Sequence, residues 1–225
     1  MMHRALRFLA AVALGLLPIA LAGWLLTIGW QPAREVYPVQ GVDVSGEQAD
    51  INWLQAKGAG VDFAYLRAVD GTVRDTRFAA NWEDTQKAGI RRGALHAYSL
   101  CRLAREQAEV FASMVPRTAD ALPAAVELRF RRECTARPPR DAVLAEIRGL
   151  LQAIETHSGK PAVLLITRSF DTEYQVSQAI PRDLWGVQSF VAPSYFPRPW
   201  HIWQASTFRR VAGFNRPVHW DVVAP

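Results

Sequence analysis

Hydrophobic positions fall into two regimes along the chain. Between residues 8 and 30 there is no charged side chain, only Phe8, Thr27 and a run of Leu, Ala, Ile, Val, Trp and Gly with the isolated breaker Pro18. Residues 31–38 follow with Pro32, Pro38 and both charge signs, Arg34 and Glu35, and read as a short tether. From residue 39 onward, short apolar runs of strand length alternate with amphipathic stretches. The strand-like runs are 41–44, 61–69, 93–98, 123–130 and 161–166. The clearest helix is 140–157, where Val143, Leu144, Ile147, Leu150, Leu151 and Ile154 share a face and Gly159 with Pro161 gives a stop. Residues 76–87, 103–114 and 52–57 also read as helices. After Tyr174 the pattern changes to strands at 184–190, 200–205 and 218–223, joined by Pro-rich loops with no helix between them. Strand and helix alternating five times, then strands alone, predict an α/β fold. The expected form is a shortened TIM-like (β/α) barrel with helix-poor C-terminal strands, occupying residues 39–225.

The uncharged N-terminal run exceeds a secretory h-region and reaches the roughly 20 residues needed to span hydrocarbon, so residues 1–30 are expected to be a signal anchor. Arg4 and Arg7 precede the run, which leaves the N-terminus in the cytoplasm and the barrel outside it. Ala20-Leu21-Ala22 resembles a cleavage site, and secretion after cleavage near Ala22 is the alternative.

Composition narrows the classes. The 225 residues are 50% hydrophobic and 21% charged, which suits a buried core and not a disordered chain. The 26 basic residues exceed the 21 acidic ones and are nearly all arginine, Lys57, Lys87 and Lys160 being the lysines. No run of five like charges occurs, so no nucleic-acid partner is expected, and the charge suits work near anionic lipid or wall polymer. Cys101 and Cys134 are the two cysteines. In an exported domain an even count reads as one disulfide, the alternative being two buried thiols.

In such a barrel the chemistry lies at the C-terminal strand ends. The polar groups expected there are Asp43, Asp70, His96, Glu127 with Arg129, Gln188, Gln204, and His219 with Asp221. Alternate strand residues face the same way about 6.6 Å apart, so Glu127 and Arg129 share a side, as do His219 and Asp221. Tyr65, Tyr98, Trp185, Trp200 and Trp203 stand at matching places. Carboxylates among aromatic rings suit sugar binding, although Trp185 and Trp203 equally suit a core. Asp43, His96, His219 and Asp221 could be drawn as metal ligands but are more simply polar groups of a sugar cleft. No metal or cofactor is expected.

Gly41-Val42-Asp43-Val44-Ser45, Gln48, Trp53, the stretch 61–68, and Asp70-Gly71 resemble the opening of glycoside hydrolase family 25, lysozymes that cut peptidoglycan. Further resemblances are Ala88-Gly89-Ile90, His96 with Tyr98, Leu122-Pro123, Leu184-Trp185, and Trp203-Gln204. The family implies a shortened β/α barrel, and one bacterial branch has a disulfide like Cys101 with Cys134. It further implies an Asp-x-Glu pair after Leu-Pro, with Glu as acid/base. Here Glu127 stands at the Asp position and Arg129 at the Glu position, pinned between Leu122-Pro123 and the segment 134–138. His219 and Asp221 stand where the family has Asp and Asn.

Glycoside cleavage needs an acid to protonate the leaving oxygen and a second group to meet the developing positive charge. Arg129 stays charged and does neither. The sequence therefore implies a family-25-like domain that binds or remodels peptidoglycan or a related acetamido-sugar polymer with catalysis impaired. The alternatives are an active glycosidase using Glu127 with Asp43 or Asp221, and a non-catalytic scaffold of the cell envelope. Tyr65, Asp70, His96, Tyr98, Trp185, Gln204 and His219 are the expected substrate-binding residues.

Overall fold

The computed structural model describes residues 17–18 and 21–225, so part of the expected membrane segment lies outside the described residues. A helix, α1, covers residues 21–29. No helix among the described residues is long and apolar enough to cross a membrane.

The elements then follow as β1 (Gln40–Val44), α2 (Trp53–Gly58), β2 (Phe63–Asp70), β3 (Val73–Arg74), α3 (Phe78–Lys87), β4 (Arg91–Ala97) and α4 (Ala104–Met114). After these come β5 (Ala125–Leu128), α5 (Arg140–Ser158), β6 (Val163–Ile166), α6 (Arg168–Tyr174), α7 (Val176–Ala179), β7 (Asp183–Val187), β8 (Ile202–Arg209) and β9 (Val218–Val223). Strand order is β1-β9-β8-β7-β6-β5-β4-β2-β3, and an added β1–β2 pairing closes eight strands into a barrel with β3 outside the ring. Neighbours within the ring pair in parallel except β9, which is antiparallel to both β1 and β8, and the outlying β3 is antiparallel to β2. This is the α/β barrel expected from the sequence, with helices absent between its last strands. The short helices α6 and α7 were not anticipated. Asp171 holds them together by accepting from the Ser177 backbone N–H at 2.8 Å and from Ser177 Oγ at 2.6 Å.

Two apolar layers explain why the strands are buried on both faces, as parallel strands usually are. One layer lies between strands and helices and takes the α5 stripe Val143, Leu144, Ile147, Leu150, Leu151 and Ile154. Gly159 ends α5 with a left-handed φ of 72°, which glycine adopts without strain. The second layer fills the barrel with Phe63, Tyr65, Leu95, Ala97, Ala125, Val163, Leu165, Trp185 and Ile202.

Cys101 and Cys134 form a disulfide with Cα atoms 5.8 Å apart. It ties the segment after β4 to the segment after β5. Residues 30–38 lie along the barrel wall. Trp30 meets Phe190 and Trp203, Tyr37 meets Trp200 and Trp203, and Arg34 pairs with Asp62 at 2.9 Å. Gln40 Nε2 donates to the carbonyls of Pro32 and Tyr37, each at 2.9 Å. At the upper end of the segment, the Arg210 N–H donates to the Ile28 carbonyl at 2.9 Å.

Candidate active site

The floor of the barrel mouth is set by side-chain parity. In β2, Phe63, Tyr65 and Arg67 point inward, and in β7 Trp185 does so. The Tyr65 ring packs tilted against Trp185 at 4.9 Å between centroids, and both are buried. Gly93 on β4 makes room for this, because a Cβ there would come within 2.5 Å of the Tyr65 ring. Tyr65 and Trp185 were expected to contact substrate; instead they are the upper core, sealed beneath the polar layer.

Above the floor, one wall is acidic and proton-sharing. Asp43 of β1 accepts from Gln204 Nε2 of β8 and pairs with His219 Nδ1 of β9 at 2.8 Å. Burial opposes ionisation of Asp43, but the His219 charge, its hydrogen bond, Arg67 and Arg129 together hold the carboxyl below its usual range. The same pair raises His219, burial notwithstanding. Trp185 Nε1 donates to Asp221 Oδ1 at 3.1 Å. Burial, then the neighbouring Asp43 charge, pushes Asp221 well above the carboxylate range. Asp221 Oδ2 and the Oε1 of Gln204, its cross-strand neighbour, are buried without a hydrogen-bond partner among the described residues.

The opposite wall is cationic. Glu127 of β5, 1% exposed, is surrounded by three guanidiniums. Arg129 Nε lies 2.5 Å from Oε1, while Arg67 and Arg131 reach Oε2 at 3.3 and 3.2 Å. Arg131 also binds Asp70 at 2.6 Å. Both carboxylate oxygens of Glu127 are thus occupied by cations.

Two expected site residues lie elsewhere. Leu95 and Ala97 are the inward positions of β4, so His96 and the following Tyr98 turn outward. His96 Nε2 meets Gln107 Oε1 of α4 at 3.1 Å, and burial lowers its pKa to about 4, leaving it neutral. Tyr98 packs in the layer beneath the helices. Trp203 also faces outward, its Nε1 donating to the Gln188 carbonyl at 2.6 Å. No cluster of metal-ligating side chains occurs among the described residues.

The model of the glycosyl hydrolases family 25 matches residues 42–214. The chain belongs to glycosyl hydrolase family 25. It is 31% identical over 207 residues to Lysozyme M1 of Streptomyces globisporus, covering 80% of this chain and 66% of that protein. It is 28% identical over 198 residues to the uncharacterized protein YegX of Escherichia coli strain K12, covering 83% of this chain and 70% of YegX. The chain thus spans about two thirds of the length of these curated relatives. Among solved structures, a family 25 glycosyl hydrolase from Bacillus anthracis superposes with a TM-score of 0.79 at 28% identity, covering 87% of this chain and 92% of the other. The lysozyme of Streptomyces coelicolor gives 0.73 at 29% identity over 81% and 90%.

Within this family-25 barrel, Asp43, Asp70, Glu127, Arg129, Gln204, His219 and Asp221 gather at one mouth. Sequence reasoning passed over Arg67 and Arg131 as site residues. Arg67 carried a usable signal, since it is two residues beyond inward-facing Tyr65. Arg131 lies beyond the end of β5, where alternation no longer predicts direction.

Proposed function

We propose that this domain binds peptidoglycan, or a related acetamido-sugar polymer, at the barrel mouth without cutting it efficiently. The observation that carries the reading is the enclosure of Glu127 by Arg67, Arg129 and Arg131, with Arg129 at the place where the family resemblance implies an acid. A general acid needs a free O–H within hydrogen-bond reach of the leaving oxygen. Glu127 offers neither a free oxygen nor access, and a fixed cation opposes an oxocarbenium-like transition state.

The alternative enzyme would pair Asp43 with Asp221, and their opposite pKa shifts do resemble an acid and a base. Asp43 is already taken by His219 and Gln204, and Asp221 by Trp185 with its pKa raised beside the Asp43 charge, which leaves neither carboxyl free to face a glycosidic bond. This arrangement opposes catalysis.

The site of action we propose is outside the cytoplasm, held by the N-terminal apolar segment. The Cys101–Cys134 bridge supports an oxidising compartment. In a bacterial host the chain should sediment with membranes and be cut by protease only from outside. A soluble product starting near Gly23 would replace the anchor with secretion.

For the site, the full chain in detergent should sediment with purified peptidoglycan and release no reducing ends. The double variant Glu127→Asp with Arg129→Glu should gain wall-cutting activity. Strong activity of the unaltered protein would refute the reading, and absence of binding in every variant would favour a scaffold.

A further inference from the structure

The apolar run that opens the chain ends on an aromatic patch of the barrel. Trp30, its last residue, packs edge-on against Phe190 of the β7–β8 loop with ring centroids 5.1 Å apart, and Phe190 meets Phe208 of β8 at 5.6 Å. The end of α1 is fastened at the same place. The Arg210 N–H donates to the Ile28 carbonyl at 2.9 Å, and Arg209 Nε donates to the Gly29 carbonyl at 3.5 Å. The surface around this junction is apolar and open: Phe190 is 42% and Val191 63% exposed, and Leu21, Trp24, Leu25 and Leu26 of α1 are each more than half exposed. Thr27 Oγ1 is turned onto the Gly23 carbonyl at 2.6 Å, so α1 presents no free hydroxyl. Phe190 also holds a left-handed φ of 70°, with its N–H fixed on the Ala205 carbonyl at 3.0 Å. The fold thus keeps a bulky ring at the surface against its backbone preference. Charge at the rim has one sign. Between Asp183 and Asp221 there are four arginines and no acidic residue, and Arg210 is exposed with no ion pair among the described residues. Arg168, also exposed, reaches the loop by donating from Nη2 to Gln188 Oε1 at 2.8 Å.

We propose that this patch, formed by Trp30, Phe190 and Val191 with Arg210 at its rim, docks on the surface of a bilayer that contains anionic lipid. The proposal rests on the membrane-anchor reading and adds to it a second contact, made by the barrel itself. Apolar side chains bordered by arginine suit the headgroup boundary, where rings and aliphatic groups enter the acyl edge and guanidiniums meet phosphate. A bilayer is the indicated occupant because the uncharged segment 8–30 leads straight into this surface and the flanking charge is cationic. A tether at one point lets a domain swivel. A second contact beside it fixes which way the barrel mouth turns.

The test uses the full, unaltered chain in vesicles of phosphatidylcholine and phosphatidylglycerol doped with a lipid that carries a photoreactive diazirine at its headgroup. Adducts located by mass spectrometry should fall at Phe190 and Val191 as well as in the N-terminal run. None should fall at Ala153, an exposed residue in the second half of α5, near the opposite end of the barrel. Arg210→Glu changes two units of charge, each worth about fivefold beside an anionic surface, so adducts at Phe190 and Val191 should drop at least about fivefold while those in the N-terminal run stay. If that variant fails to fold, omitting phosphatidylglycerol should produce the same drop in the unaltered protein. Adducts confined to the N-terminal run would overturn the docking and leave the anchor standing, whereas failure of the chain to float with vesicles would remove the anchor reading itself. Self-cross-links at Phe190 and Val191 in place of lipid adducts would assign the patch to a second copy of the chain. Lipid adducts there that vanish when peptidoglycan is added would assign it to wall polymer, and either result overturns the proposal.

Discussion

The two walls of the barrel mouth solve the problem of buried charge in opposite ways. On the β1, β8 and β9 side, two aspartates sit together because one takes up a proton and the other is paired with His219. On the β2 and β5 side, a single buried glutamate is matched by three surrounding guanidiniums. The first solution depends on pH and the second on side-chain count. Each wall should therefore fail under a different perturbation.

The largest effect is expected from Glu127→Ala. It leaves Arg67, Arg129 and Arg131 facing one another in a partly buried site, and removing one partner of a buried charge cluster typically costs about 3 to 5 kcal/mol. Thermal or denaturant unfolding measures this. A loss under about 1 kcal/mol would mean that water, not Glu127, balances the arginines.

Next is the disulfide, which tethers the chain segment carrying Arg129 and Arg131. Replacing Cys101 and Cys134 with Ser should cost roughly 2 to 4 kcal/mol by chain entropy. Hydrogen exchange should quicken around residues 129–134 and stay unchanged around Trp185 and Asp221. Equal loosening of both walls would show that they are not independent.

The smallest effect is a slope. Asp221 is raised in the folded state, so its contribution is present below its unfolded pKa and is lost as pH rises through the folded value. His219, also raised, contributes fully below about 6.5 and loses its contribution as pH rises. Asp43, lowered, contributes above about 3.9 and loses its contribution only as pH falls through the folded value. Stability should thus decline from mildly acid toward alkaline pH. Asp221→Asn should flatten that decline by at most about 1.4 kcal/mol per pH unit. Urea unfolding at several pH values checks it, and an unchanged slope in the variant would mean Asp221 is ionised in the folded state.

The barrel was legible because its helices carry one-sided stripes and its last strands do not. The spacing gave 140–157 against the observed Arg140–Ser158, and 218–223 against Val218–Val223. The mouth was only half legible. Strands buried on both faces show alternation without saying which parity points inward, so Glu127 and Asp221 were placed correctly while His96 and Tyr98 were placed on the wrong face. Rings read as sugar platforms became floor and outer packing for the same reason. The helices α6 and α7, at seven and four residues, are too short to show a period.

The path of residues 21–40 bears on where the mouth can work. Helix α1 meets the body beside Arg209 and Arg210, past the end of β8 that rises above Gln204, so it departs from the open end of the barrel and not from its closed base. Nine helical residues advance about 13 Å. A bilayer holding the apolar run proposed as the anchor would act as a short leash, and because residues 30–38 are fastened to the wall, little slack could lengthen it. The opening would then patrol the layer next to the lipid, sampling newly made or membrane-proximal strands, while polymer farther out stayed beyond its reach.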